Sequence, residues 1–446
     1  MILIKNARIV NENEQFIGAV LIKGEYIKNI WRGDAPVLTG VKKEIDLNGK
    51  FLLPGIIDDQ VHFREPGLTH KANIHSESVA AVAGGITSFL EMPNTNPQTT
   101  TETALIEKLT IAAKSSVVNY GFYFGATNDN FHLLKSLNTS LACGVKVFMG
   151  SSTGNMLVDN EQTLRRIFEQ SPLLIATHCE DEATIRENNR IYSQKYGTDI
   201  AFRYHPEIRS HQACYLSSSL AVNLAKEYNA HLHVLHLSTK KEMELFRNDI
   251  PLSEKHITAE VCVHHLWFND TYYDSKGSFI KWNPAIKSET DRLALIDSLN
   301  HDYIDVVATD HAPHTYEEKM LDYWKAPSGG PMVQHALVTM LELVKQKALS
   351  LEKLVQKMCH NPAVRFSIAK RGFIREGYFA DLVVVDLENE WTVQKDNILY
   401  KCGWSPLEAQ KFSSKVLATV VNGYFVHENG IVDRNYRARK LDYIRK

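Results

Sequence analysis

The chain has no surplus of charge. Its 50 Lys and Arg against 52 Asp and Glu leave a formal charge of −2 over 446 residues, with both signs scattered along the chain. That distribution implies no basic face for nucleic acid or anionic lipid. Cysteine is scarce. The six (Cys143, Cys179, Cys214, Cys262, Cys359, Cys402) lie far apart, form no Cys-x-x-Cys pair and sit mostly in apolar runs, which reads as free buried thiols in a reducing compartment. No apolar run reaches bilayer-spanning length. The opening residues Met1 to Val10 alternate in β fashion but carry Lys5 and Arg8, too short and too charged for a signal h-region. A cytoplasmic protein with neither nucleic-acid nor membrane partners is expected. Internal repeats and low-complexity segments are also lacking. No Gly-x-Gly-x-x-Gly follows the first long apolar strand, which weighs against an open, doubly wound dinucleotide fold.

What is present is ordinary globular composition, 44% hydrophobic and 23% charged, in a chain long enough for one large core plus an accessory domain. Residues 1–53 read as short β runs with turns at Asn11-Glu12-Asn13, Lys23-Gly24-Glu25 and Asn48-Gly49-Lys50, and a similar texture returns from 366 to 446. Neither end has strands enough for a sandwich alone, so the two ends are expected to combine into one small composite β-sandwich domain, with 54–365 inserted between them. The middle alternates apolar β runs (51–62, 86–92, 119–126, 144–149, 173–178, 231–236, 257–264, 304–309) with amphipathic segments (74–83, 102–113, 161–169, 217–227, 289–299, 333–347). Eight such units predict an α/β fold, a (β/α)₈ TIM-like barrel somewhat larger than the usual ~250 residues. The longest insertion, 181–211, is polar and turn-rich.

In such a barrel the chemistry sits at the C-terminal strand ends. Five runs carry a candidate metal ligand there: His62, Lys146, His178, His236 and Asp310. A single histidine at a strand end is usually structural. Five at equivalent heights point to metal, because buried charge is costly unless paired or bound. Strand alternation puts His236 on the face of Val234 and Leu232, which leaves His231 and His233 as packing or surface residues, and turns Cys179 away from His178. Lys146 on its own reads as a snorkelling or salt-bridged lysine, since an ammonium cannot coordinate. Asp310, an isolated Asp after an apolar strand, reads on its own as a cap for the next helix.

The stretch Pro54-Gly55-Ile56-Ile57-Asp58-Asp59-Gln60-Val61-His62-Phe63-Arg64-Glu65-Pro66-Gly67, with Val145-Lys146-Val147-Phe148-Met149 and the following Ser151 to Asn155, and with Ala308-Thr309-Asp310-His311-Ala312-Pro313-His314, resembles the amidohydrolase superfamily and its dihydroorotase branch. That branch carries His-x-His-x-Arg on the first strand; here Gln60 stands in place of the first His. The resemblance covers almost the whole chain, down to Trp404-Ser405-Pro406-Leu407-Glu408. It implies one or two Zn²⁺ per subunit held by His62, a carboxylated Lys146, His178, His236 and Asp310, with Gln60 as a weak ligand. It implies Asp310 as the proton shuttle. Arg64, Asn94 and His314 would hold a substrate carboxylate, and Asn283 would read the ring, although Ala285 and Lys287 depart from the usual Pro-Pro-Leu-Arg continuation. The loop Ala326-Pro327-Ser328-Gly329-Gly330-Pro331 resembles one that closes on substrate through backbone groups.

The implied activity is the reversible, zinc-dependent interconversion of dihydroorotate and N-carbamoyl-L-aspartate in pyrimidine synthesis, by a homodimer acting on this small molecule. Alternatives are a hydantoinase-like or allantoinase-like cyclic amidohydrolase and a noncatalytic scaffold subunit. For Gln60 three outcomes are open: a two-metal enzyme, a one-metal enzyme, or an inactive subunit.

Overall fold

Gly55 divides the first long apolar run in two. The 51–62 run is expected as one strand, but a Cβ at Gly55 would lie 2.1 Å from Thr87 Oγ1, so only glycine lets the chain turn at this point against its neighbour. Phe51–Pro54 consequently joins a sheet built from the chain ends, and Ile56–Val61 opens the barrel. The structure, a computed structural model, describes residues 1–150 and 156–445. The Ser151 to Asn155 segment that follows Lys146 lies outside the described residues.

The barrel strands are β1 (Ile56–Val61), β2 (Ile86–Glu91), β3 (Asn119–Phe122, continued by Phe124–Gly125), β4 (Val145–Phe148), β5 (Ile175–His178), β6 (Leu232–Val234), β7 (Ile257–Cys262) and β8 (Val306–Ala308). Each pairs in parallel with the next, and β8 meets β1 through the Val61–His311 bridge and the His62 N–H, which donates to the His311 carbonyl at 2.7 Å. The circle is thereby closed into the (β/α)₈ barrel that the alternation of elements predicts.

Around it run α1 (Ile74–Ala83), α2 (Glu102–Ser115), α3 (Glu161–Gln170), α4 (Glu182–Tyr196), α5 (His211–Tyr228), α6 (Val263–Trp267), α7 (Glu289–Asn300) and α8 (Ala336–Lys345). Their starts are written locally: Asn73, Thr101, Asn160, Asp181, Ser210 and Ser288 each accept a backbone N–H two or three residues into the helix. The 181–211 segment corrects the expectation of turns, since half of it is α4. Its Glu, Arg, Gln and Lys residues are good helix formers, and with only Ile185 of α4 buried there is no apolar stripe to announce the helix.

Side chains between the strands and the helices, such as Phe89, Val145, Ile175, Val234 and Leu337, form the main core. Ile57, Leu90, Ala176 and Leu235 pack with Tyr123 and Phe366 in a second layer. Full burial of each large apolar side chain contributes about 1.5–3 kcal/mol.

The two chain ends share one nine-stranded sheet. Ile2–Asn11 pairs with Glu14–Lys23 on one side and with Phe51–Pro54 on the other; Phe51–Pro54 pairs in turn with Leu382–Asp386, which continues to Lys415–Val421. The buried Asp381 carboxylate pairs with Arg371 and accepts the Asn422 N–H, while its carbonyl accepts the Gly55 N–H. One residue therefore ties the middle strands of the sheet to the entrance of the barrel. All six cysteines are free thiols, five of them buried. Among the described residues no helix is long and apolar enough to cross a membrane.

Candidate active site

All ten residues singled out in the sequence line one cavity of about 270 Å³ at the C-terminal ends of the strands: Gln60, His62 and Arg64 after β1, Asn94 after β2, Lys146 on β4, His178 on β5, His236 after β6, Asn283 after β7, and Asp310 and His314 after β8. Phe148, Trp282 and the backbone of Pro327, Ser328 and Gly329 complete the wall. Arg64, His236 and Asp310 have φ of 69°, 39° and 45°. Left-handed backbone costs a non-glycine residue on the order of 1–3 kcal/mol and concentrates where function demands it.

On one side of the cavity, His62 Nδ1 donates to Asn94 Oδ1 at 2.8 Å, which leaves Nε2 as a bare lone pair 3.1 Å from Asp310 Oδ1. A lone pair and a carboxylate oxygen repel unless a proton or cation lies between them, and burial disfavours protonation of His62. Gln60 Nε2 also reaches Asp310 Oδ1, at 3.2 Å, and its Oε1 faces Cys262 Sγ at 3.7 Å. A register shift between Asp58 and Val61 against β2 marks the bulge from which these side chains emerge.

On the other side, His178 Nε2 donates to Glu180 at 3.0 Å and its Nδ1 faces His236 Nε2 at 2.9 Å. His236 Nδ1 is buried with no partner. Burial alone would raise the Glu180 pKa, but Arg209 at 2.8 Å and His178 bring it down to about 2. Two buried imidazoles, one oriented by a carboxylate, are donors of the kind that suit a divalent metal.

Between the two sides sits Lys146, buried, with its ammonium 4.6 Å from the centre of the Phe148 ring and in no ion pair among the described residues. Desolvation lowers its pKa to about 8, so on the order of a tenth of the side chain is neutral near pH 7. That fraction is the form able to take up carbon dioxide, and a carbamate formed there would supply anionic oxygens where the ammonium supplies none. The residues present therefore fit a metal centre.

His236 lines the cavity, but not by sharing the face of Val234 and Leu232 as strand alternation predicts. Leu232 and Val234 face the helices, while His233 points inward to Asp59 and Glu260. His236 reaches the cavity because the chain leaves β6 in a left-handed turn, held by its N–H on Glu260 Oε1 at 2.9 Å.

The wall around Arg64 is cationic. Arg64 is 7% exposed; its Nε donates to the Pro313 carbonyl, its Nη2 lies 3.1 Å from His314 Nε2, and no described carboxylate lies within 4 Å of it. Lys71, which the sequence reading missed, donates to His314 Nδ1 at 3.0 Å while paired with Glu318 at 2.9 Å. That contact fixes the tautomer: Nε2 carries the hydrogen and donates it to the Ser328 carbonyl at 3.0 Å. His314 Nε2 then cannot accept from Arg64, and the guanidinium fork stays available. Gly329, at φ 127° with a would-be Cβ 2.5 Å from the Ala312 carbonyl, lets the loop lie flat against the cavity. Buried Lys319 and Lys281 pin the loop by donating to the carbonyls of Pro327, Gly329, Tyr323 and Ala326. Lys71→Met is expected to raise KM for an acidic substrate about tenfold with kcat nearly unchanged, in steady-state kinetics.

The amidohydrolase family model matches residues 51–426. The dihydroorotase of Methanosarcina acetivorans is 33% identical over 91% of this chain and 87% of its own length, and that of Methanosphaera stadtmanae 30% identical over 97% of each. The chain belongs to the amidohydrolase family. Its fold superposes on the L-hydantoinase of Arthrobacter aurescens with a TM-score of 0.92, at 26% identity over 99% of each chain, and on the dihydropyrimidinase of Brevibacillus agri with 0.88, at 24% identity over 100% of this chain and 99% of that one.

Two further clusters of donor atoms lie within 4.8 Å in this amidohydrolase, Asp59/His233/Glu260 and Cys262/His264/His265. The first is an ion cluster. His233 Nδ1 donates to Thr258 Oγ1, whose own hydrogen goes to the Leu232 carbonyl, and His233 Nε2 donates to Asp59 at 3.1 Å with Glu260 at 3.6 Å. Burial opposes a charge on His233, yet the two carboxylates raise its pKa. The imidazolium thus occupies the place a metal would take.

Glu180 orients the His178 ring, and Glu180→Gln is expected to weaken retention of a divalent metal about 10- to 100-fold, measured by competition with a chelator.

Proposed function

We propose that this amidohydrolase is a dihydroorotase, opening and closing the ring amide between dihydroorotate and N-carbamoyl-L-aspartate. The observation that carries the reading is Arg64: a buried guanidinium on the cavity wall, without a carboxylate partner among the described residues, beside His314 and Asn94. A buried cation is costly unless something anionic completes it, and a ring bearing a free carboxylate does so through a bidentate fork. The likeness in fold to an L-hydantoinase raises the neutral hydantoins as a second reading, and for those Arg64 has no task.

Lys146 as carbamate, His178 and His236 would hold one Zn²⁺, and His62, Asp310 and the carbamate a second. When bound, zinc supplies Lewis-acid polarisation of the amide carbonyl and a lowered pKa for water. The protein's own part is positional. Arg64 and His314 orient the acid group, and the 326–330 loop excludes water. Asp310 takes a proton from the attacking water as the carbonyl carbon gains oxygen, then returns it to the ring nitrogen as the C–N bond breaks. Ring closure runs the same transfers in reverse.

The test is turnover of dihydroorotate by zinc-loaded protein against a His62→Ala control, with hydantoin and dihydrouracil in parallel. Faster hydrolysis of the neutral rings would overturn the assignment. Gln60 shapes the second metal position: its amide N–H engages Asp310 where a ligand lone pair is wanted. Gln60→His is expected to tighten the second equivalent of zinc at least about tenfold in a chelator competition, and an unchanged second affinity would show that the position does not depend on residue 60.

A further inference from the structure

Behind the cavity wall lies a group of side chains that the chemistry above does not use. Cys262 ends β7 and His264 and His265 lie in the first turn of α6, all three buried, with one donor atom from each within 4.8 Å of the others. Their hydrogen bonds are incomplete in a particular way. His265 Nε2 donates to the Pro284 carbonyl at 3.1 Å, so Nδ1 carries a lone pair, and nothing meets it. The Thr309 carbonyl is the polar group beside the His264 ring, yet neither of its nitrogens completes a well-formed hydrogen bond. Stacking on Trp282, 4.2 Å between ring centres and 8° from parallel, accounts for the face of the His264 ring but not for its edge.

Cys262 Sγ has only weak contacts, Gln60 Oε1 at 3.7 Å and Glu260 Oε1 at 3.6 Å. Buried polar atoms are ordinarily paired. An imidazole with one nitrogen turned to a carbonyl and the other bare is the arrangement adopted by metal-binding histidines. A neighbouring thiol adds a soft donor.

We propose that Cys262, His264 and His265 form a separate binding site for a soft or borderline cation of the Zn²⁺, Co²⁺, Cd²⁺ or Cu⁺ class. Binding expels the thiol proton, the thiolate and two imidazole lone pairs form the bonds, and a fourth position remains for water. None of the three residues lines the cavity, and no sulfur belongs to the set of ligands around it. The ion would sit behind Gln60 and Trp282, fixing the wall that faces the substrate.

A thiolate in the coordination shell distinguishes this site spectroscopically. Metal-free full-length protein is titrated with Co²⁺, and the near-ultraviolet thiolate-to-cobalt charge-transfer band is followed together with bound metal per chain. The expected result is a band that persists in Cys179→Ser, weakens in His265→Gln and disappears in Cys262→Ser with the loss of about one bound ion. No band in the wild type at saturating Co²⁺, or a band that survives Cys262→Ser, overturns the proposal. Should Cys262→Ser fail to fold, X-ray absorption on the cobalt-loaded wild type and Cys179→Ser decides: a sulfur scatterer at about 2.3 Å in both supports the site, and its absence from either refutes it.

Discussion

Arg64→Met is expected to lower kcat/KM for dihydroorotate about a thousandfold while changing hydrolysis of a neutral hydantoin by less than about threefold. The size follows from burial. The guanidinium is 7% exposed, and desolvation brings its pKa down to about 10, so it remains a cation at neutral pH in surroundings that strengthen its interactions. Removing one partner of a buried, hydrogen-bonded charge pair costs about 2–5 kcal/mol, and about 4 kcal/mol within that range is about a thousandfold. A neutral ring makes no such pair and loses nothing comparable. Arg64→Lys should fall between the two, because an ammonium keeps the charge but not the planar fork. Equal losses on both substrates would show that Arg64 shapes the cavity without reading the acid, and the neutral-ring reading would replace the one proposed.

Much of this site is legible in the chain because short parallel strands convert spacing directly into direction. Lys146 and Phe148 share a face of β4 and both line the cavity, as alternation requires. The same rule fails at β6, where His233 takes the inward face and His236 turns into the cavity only after the strand has ended. A left-handed residue leaves no mark in hydrophobic periodicity. Glu180 could have been found: it stands two residues beyond His178 and accepts from that ring. Arg209, Glu260 and Lys71 carried no local signal, for their partners lie 29, 24 and 243 residues away and only closure of the barrel brings them together. The split at Gly55 was hidden for a related reason, since Phe51–Pro54 and Ile56–Val61 are equally apolar while their partners belong to different sheets.

Asp310→Asn is expected to reduce kcat about 10²- to 10⁴-fold with little change in KM, the range lost when a positioned general base or acid is removed. The substitution is conservative where it matters. Asn tolerates the left-handed backbone that Asp310 adopts, φ 45°, better than other non-glycine residues, and its Oδ1 can still accept from Gln60 Nε2, now at 3.2 Å. What the amide cannot do is take up and return a proton. If Asp310 is the shuttle, an analogue with a less basic leaving nitrogen should suffer a smaller loss, because its departure needs less protonation. If Asp310 acts only through its charge on His62 and the bound metal, zinc content should fall in parallel with activity and the identity of the leaving group should not matter. Measuring zinc per chain alongside the two rates separates these outcomes.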